Sequence, residues 1–288
     1  MKSFRERIEN KEMVITAELF APKGIDMTGI KRKVEILREH VHAFNVTDNQ
    51  RATMRVGSLG ICAWLENKMN VETIFQLNCR DRNRLALQSD LLSASLLGIK
   101  NVLVITGDHP SVGDHKHSKA VFDLDSVQLL SVIKELERGY DFSGNELKGS
   151  PTIFSGSTIN PAATPIEPHV IKFKKKVEAG AQFFQTQVVF ETDKFIKFQK
   201  KIKNHNVPVI AGISLLKNYE FAKFLDETVP GLNVPEDLLE RMKNSKDYKK
   251  ERIEIACETI QKLKPYVAGF HFMVFGLEKE IPLILERM

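Results

Sequence analysis

A chain of 288 residues with 42% hydrophobic and 27% charged side chains has the composition of a globular protein and enough length for one barrel-sized domain or two smaller ones. Its excess of 42 Lys and Arg over 37 Asp and Glu, a net charge of +5, is too mild to argue for nucleic acid. No apolar run approaches the roughly 20 residues of a membrane span, the opening Met1-Lys2-Ser3-Phe4-Arg5 lacks the apolar core of a signal peptide, and a cytoplasmic location is expected.

Cys62, Cys79 and Cys257 are scattered without a Cys-x-x-Cys spacing. Neither a disulfide framework nor an iron–sulfur or zinc centre is expected from such a set, and any such centre would belong to a partner.

In chain order, Met13 to Phe20 reads as a strand with Glu18 near its carboxyl end, closed by Pro22 and Gly24. Asp26 is the expected cap of a helix to about His40, with Ile30, Val34 and Leu37 at helical spacing. Val41 to Thr47 is a second strand, ending in Asn45-Val46-Thr47-Asp48-Asn49-Gln50, and a helix follows from Ser58 to Asn67. Glu72 to Cys79 is a third strand. Arg82 to Leu97 is helical, with Leu85, Ser89, Leu92 and Leu96 on one face and Gly98 closing it.

The fourth strand, Val102 to Thr106, is the most strongly marked, a β-branched and aliphatic run that stops abruptly at Gly107-Asp108. Gly-Asp is a common turn pair, and it is also where a buried parallel strand would present a functional acid. A long polar loop, Gly107 to Phe122, carries His109, His115 and His117, which read as exposed residues rather than metal ligands because they lack an i, i+4 arrangement on a helix. A helix from Asp125 to Glu137 and a surface excursion from Gly139 to Ser150 lead to a fifth strand, Thr152 to Ser157. The pattern continues with a helix Glu167–Ala179, a strand Gln182–Val188, a helix Thr192–Lys203 and a strand Val207–Ile213. Helices around 218–225, 236–244 and 248–263, an eighth strand Val267–Met273 and a last helix from Leu277 to Arg287 complete it.

Eight strands alternating with helices predict a single (β/α)₈ barrel; the runner-up, an open doubly wound sheet, lacks a Gly-x-Gly-x-x-Gly after its first strand. In a barrel the strand ends gather Glu18, Thr47, Asp48, Asn49, Gln76, Arg80, Thr106, Asp108, Ser157, Asn160, Thr186, Gln187 and His271 around one mouth. Two carboxylates among amides and hydroxyls suit a ligand rich in ring nitrogens, such as a flavin or pterin. Glu18 either pairs with a nearby cation or, facing a ring in a partly dry mouth, acquires a raised pKa and serves as a general acid. The basic run Lys172 to Lys176 reads as a solvated helix face, compatible with a phosphate-bearing cofactor or a polyglutamate tail.

On the segments Ala17-Glu18-Leu19-Phe20, 45–49, 76–81, Thr106-Gly107-Asp108, 176–181 and Thr186-Gln187, the chain resembles the methylenetetrahydrofolate reductases over nearly its whole length. The runs 45–50 and 79–92 are most similar to the branch of acetogenic and other anaerobic bacteria. The resemblance implies one catalytic barrel over residues 1–288 without the regulatory domain of the animal enzymes. It also implies a flavin cofactor, hydride transfer from flavin N5, and conversion of 5,10-methylenetetrahydrofolate to 5-methyltetrahydrofolate. By position, Glu18 matches the general acid that opens the methylene-bridged folate to an iminium. Asp108 matches the acid beside flavin and pterin, Gln187 the amide that holds the pterin, and Thr47 and Lys176 contacts to the flavin. Asn49, Gln76, Thr106, Gly107, Ser157 and Asn160 are the further flavin-side positions.

Three departures fall on that side: Gln76 where the well-known bacterial enzymes carry His, Thr106 where they carry Arg, and Gly-Ser-Thr-Ile-Asn-Pro over 156–161 in place of a Tyr-Pro-x-x-His-Pro pattern. FMN therefore stands beside FAD as the expected cofactor. The electron donor implied is NAD(P)H or a partner subunit with iron–sulfur or zinc centres, in an oligomer or complex. The rival readings are a non-catalytic flavin- or folate-binding subunit and a flavin-free pterin methyltransferase barrel.

Overall fold

The computed structural model describes residues 2–229 and 231–288. The elements run in the order α1 (Phe4–Glu9), β1 (Val14–Leu19), α2 (Thr28–Leu37), β2 (Ala43–Val46), α3 (Ser58–Met69), β3 (Thr73–Asn78), α4 (Arg84–Leu96), β4 (Asn101–Ile105), α5 (Ser126–Glu137) and β5 (Phe154–Ile159). They continue with α6 (Glu167–Glu178), β6 (Phe183–Val188), α7 (Thr192–Ile202), β7 (Val209–Ser214), α8 (Tyr219–Thr228), α9 (Glu236–Asn244), α10 (Tyr248–Leu263), β8 (Gly269–Met273) and α11 (Ile281–Leu285). Every strand pairs parallel to its sequence neighbour and β8 pairs back onto β1, which closes the expected (β/α)₈ barrel.

Side chains alternate across each strand, so every second residue points into the barrel. The layer nearest the amino-terminal ends of the strands is apolar: Val14, Ala43, Ile74, Leu103, Phe154, Phe183 and Ile210 pack together with Phe4 and Ile8 of α1. Phe4 meets Phe183 edge-on at 5.3 Å and Phe154 at 5.9 Å between ring centroids, so α1 stoppers that end. One layer higher, Gly156 leaves the room Phe183 needs, since a Cβ there would lie 2.4 Å from its ring. At that level the interior turns polar, with Thr16, Asn45, Gln76, Gln185 and His271 on the inward positions, all buried. The larger apolar core lies between the outer strand faces and the helices.

Several local expectations shift. The chain forms α1, which carries the signature Ser3-x-x-Glu6: Ser3 accepts from Glu6 N while the Glu6 carboxylate accepts from Ser3 N at 2.7 Å. Asp26 is not the cap of α2; Met27 holds that position, and Asp26 accepts from Thr28 N in a turn just before it. In α4 the buried face is Leu87, Leu91 and Ala94, while Leu85 and Leu96 are exposed. The final helix is a 3₁₀ turn, Glu278–Glu280, followed by the short α11. No helix among the described residues is long and apolar enough to cross a membrane.

Candidate active site

At the carboxyl ends of the strands a cavity of about 440 Å³ opens over the polar layer. Its wall takes Glu18 from β1, Asn45 from β2, Gln76 from β3, Gln185 and Thr186 from β6 and His271 from β8. The loop after β4 contributes Thr106, Gly107 and Asp108, the end of β5 gives Thr158 and Asn160, and α6 gives His169, Lys172 and Lys176.

Glu18 has no cation beside it among the described residues. Burial pushes its carboxyl up to about 7, and the hydrogen bond from Gln76 offsets only part of that shift. A carboxyl near neutrality can both hold and release a proton at working pH. Below it, Thr16 Oγ1 and His271 Nδ1 are 2.9 Å apart, and burial pushes the His271 imidazole down to about 3, so it stays neutral.

Across the barrel axis Asn45 Nδ2 donates to Gln185 Oε1 at 2.5 Å. The other polar atoms of that pair, Asn45 Oδ1 and Gln185 Nε2, are buried without a partner. Each such orphan costs on the order of 1–3 kcal/mol. A donor and an acceptor left open in the floor, under a wall of amides and hydroxyls, match a heterocycle whose ring edge carries N–H and C=O groups. A flavin or pterin ring fits that donor set.

Gln187 owes its place to an irregularity. The β6–β7 register shifts between Gln185 and Val188, Thr186 Oγ1 donates to Gln187 O at 2.6 Å, and Gly212 N donates to Thr186 Oγ1 at 2.9 Å. A bulge of this kind re-aims a side chain at a barrel rim. Gly212 permits it, since a Cβ there would meet Thr186 O at 2.8 Å and Gln187 O at 2.9 Å.

The β4 end is held from outside the cavity. Gly107 has φ +91°, a backbone few side chains adopt, and a Cβ on it would lie 3.1 Å from Arg80 Cβ. Arg80, itself buried, forks onto Asp81 and donates to Asp108 O at 3.4 Å and Asn49 O at 3.1 Å, which ties three strand-end loops together. Asp108 is exposed at the rim. Thr106 Oγ1 donates to Ser126 Oγ at 3.1 Å, joining the strand end to the start of α5. On the far side Asn160 Nδ2 donates to Gly231 O at 2.7 Å and its Oδ1 accepts from Ala162 N at 3.1 Å. Lys176 is buried, with Nζ donating to Thr158 O at 2.7 Å, and desolvation together with the charge of Lys172 pushes it down to about 7.

The cavity therefore brings together Glu18, Gln76, Thr106, Gly107, Asp108, Asn160, Lys176 and Gln187. Three of the expected cofactor residues stand outside its wall. Thr47 is buried and donates to Gln50 Oε1 at 2.7 Å. Asn49 shapes a left-handed turn at φ 46°, accepting from Arg55 N. Ser157 lies on the other face of β5: with Phe154 and Gly156 inward, alternation turns Ser157 outward to donate to Val104 O at 2.7 Å and presents Thr158 instead. Asp48 and Arg80 likewise brace the rim, Asp48 as the buried partner of Arg82 and Asn78. Residues not foreseen at the mouth include Asn45, Thr158, His169 and Gln185, while Lys172 comes from the basic run read as a solvated helix face compatible with a phosphate-bearing ligand. The signal for Asn45 and Gln185 was present in their phase on β2 and β6, two residues beyond the inward-facing Ala43 and Phe183.

The methylenetetrahydrofolate reductase family model matches residues 3–288. Among curated relatives, methylenetetrahydrofolate reductase 2 of Schizosaccharomyces pombe is 25% identical, over 98% of this chain and 46% of its own length. Methylenetetrahydrofolate reductase (NADH) 1 of Arabidopsis thaliana is also 25% identical, over 97% and 49%. The 5,10-methylenetetrahydrofolate reductase of Buchnera aphidicola is 24% identical over 74% of this chain and 69% of its own. The chain thus spans about half the length of the first two relatives. Solved structures share the fold alone: an EDTA monooxygenase from Chelativorans sp. BNC1 superposes with a TM-score of 0.57 at 9% identity, covering 95% of this chain and 92% of that one. A 2,3-dimethylmalate lyase does so at 0.52 and 10%, covering 97% and 80%.

Proposed function

The chain belongs to the methylenetetrahydrofolate reductase family, and on that premise we propose that it reduces 5,10-methylenetetrahydrofolate to 5-methyltetrahydrofolate with a bound flavin. The observation that carries the reading is Glu18: a carboxyl without a cationic partner, shifted to about 7 and set in the wall of the same cavity as Gln187 and Asp108. The barrel is the catalytic unit. Gln76, Thr106, Gly107, Asp108, Asn160 and Lys176 hold the flavin, and Gln187 holds the pterin. The flavin, when bound, supplies the hydride that reduces the one-carbon unit. Glu18 gives its proton to the methylene-bridged nitrogen of the folate, which opens the five-membered ring. Asp108, exposed at the rim of the same cavity, would contact the flavin and the folate when they are bound. The neutral His271 and the amides of Asn45 and Gln185 keep charge out of the floor, so that Glu18 retains its proton near neutrality.

Electrons would reach the flavin from a partner subunit through iron–sulfur centres, with any zinc there structural, as the resemblance to the anaerobic branch implies, or else from NAD(P)H directly. Rapid reduction of the flavin by NADH or NADPH in the isolated protein would remove the need for such a partner. The function itself is tested without oxygen: the purified protein is loaded with flavin, reduced with dithionite and mixed with methylenetetrahydrofolate. Reoxidation of the flavin with formation of 5-methyltetrahydrofolate is expected. A flavin that stays reduced would leave the chain a carrier, and a protein that takes up no flavin would favour a pterin methyltransferase.

A further inference from the structure

The solvent side of α4 is built like a buried one. Leu85, Ser89, Leu92 and Leu96, the stripe that the sequence marks as one face, lie on the side of the helix opposite the buried Leu87, Leu91 and Ala94. Leu85 is 72% exposed and Leu96 89%, Ser89 is exposed and Leu92 is half-buried. A helix that packs one face on a barrel ordinarily gives the other to charged residues. Here the stripe is flanked by Ala86, Gln88 and Ser93, and both charged side chains of the helix are answered within the chain. Arg84 forks onto Asp123 at 2.8 and 2.9 Å, and Asp90 meets Arg82 at 2.7 Å. The excursion over 139–150 runs alongside, where Phe142 N donates to Gln88 Oε1 at 2.8 Å and the Arg84 guanidinium lies 5.6 Å from the centre of the Phe142 ring. An exposed apolar stripe of this kind marks a surface that another molecule covers.

We infer that α4 pairs antiparallel with α4 of a second copy of this chain, across a twofold axis. The spacing i, i+4, i+7, i+11 is the seam of paired helices. Antiparallel, the stripe complements itself: Leu85 meets Leu96 of the other copy, and Ser89 meets its Leu92, small against large at every layer. A parallel pair would set Ser89 against Ser89, leaving a gap in the seam, and would align the two helix dipoles side by side. The contact is isologous, so it closes at two copies. Neither Arg84 nor Asp90 lies in the seam, and no charge is stripped of water there. A helix of 13 residues is about 20 Å long, a footprint at the small end of specific interfaces. The dimer is therefore one that forms at micromolar chain concentration and dissociates on dilution.

The test is analytical ultracentrifugation of the full chain over a dilution series through the micromolar range, on the parent, Leu85→Lys, Leu96→Glu and the double variant carrying both. Both leucines are exposed, so neither change reaches the core, and the melting temperature of each variant should match the parent. At the top of the series the parent should sediment at twice its 32.7 kDa chain mass. Each single variant should sediment as a monomer, its pairing weakened by at least about a hundredfold because a lone charge is set against leucine. The double variant should recover the dimer, because the new ammonium then faces the new carboxylate of the other copy. Within one chain those two positions are about 16 Å apart along the helix, too far to satisfy each other. A parent that is monomeric at the top of the series overturns the inference, and so does a dimer that either single variant leaves intact. Single variants that dissociate and a double variant that does not recover overturn the antiparallel pairing. The measurement involves neither flavin nor folate, so it stands or falls apart from the function proposed above.

Discussion

Glu18 keeps its proton for one dominant reason, the loss of water around the carboxylate, and this fixes the sign of its effects. Its folded value of about 7 lies above the ordinary 4.5, so the folded protein binds that proton more tightly than the unfolded chain. Its contribution to stability is full below pH 4.5 and is lost as pH rises through about 7. Glu18→Gln should remove that component, and comparison of melting temperatures for parent and variant between pH 4.5 and 8 checks it. The same replacement should lower folate-dependent flavin reoxidation by about 10²-fold or more, because the amide keeps the shape without the acid. The parent rate should fall as pH rises past 7; a Glu18→Gln variant reacting within a few-fold of the parent, with the same pH profile, would remove Glu18 from the mechanism. His271 works in the opposite sense. With its folded value near 3, below the ordinary 6.5, it stabilises above pH 6.5 and loses that contribution as pH falls toward 3.

At the scale of elements, the β6 irregularity is the feature most open to test. Gly212→Ala places a methyl group against two backbone carbonyl oxygens that cannot rotate away. We expect a loss of about 1–3 kcal/mol in urea denaturation, and a larger drop in folate affinity than in flavin affinity because Gln187 is displaced. Gln187→Ala should weaken folate by about tenfold while leaving stability within about 0.5 kcal/mol. Elements also show where the sequence could be read and where it could not. The alternation of apolar strands and amphipathic segments was enough for eight strands and barrel closure, and Glu18, Asp108 and Gln187 could be placed at one mouth by strand ends alone. Strand phase was not legible at β5: only with Phe154 and Gly156 seen inside the barrel does Thr158, and not Ser157, belong to the face that lines the cavity. The α4 leucines misled because Leu85 and Leu87 both belong to helical repeats, and only packing against the sheet decides which stripe is inside. Lys172 lay in a run that reads as a solvated helix face, and His169, just before that run, carried no signal of its own. What singles them out is that both lie on the face of α6 that lines the cavity, which only the packed barrel defines.

Across the molecule, one end of the barrel is apolar and stoppered and the other is polar and open. Phe4 is fully buried against Phe154 and Phe183, so Phe4→Ala should cost about 3–5 kcal/mol in chemical denaturation. Flavin affinity measured in native buffer should stay within a few-fold of the parent, because the stopper and the cavity lie at opposite ends. A variant that instead loses flavin binding while remaining folded would show that the two ends are coupled. The stopper also bears on the order in which the chain can be assembled during synthesis. Phe4 is made well before Phe154 and Phe183, the rings that receive it, and β1 must wait longer still for β8 to cover its open edge. A growing chain therefore carries an unclaimed aromatic helix and a bare strand until these partners have been made, the kind of exposed surface on which chaperones act.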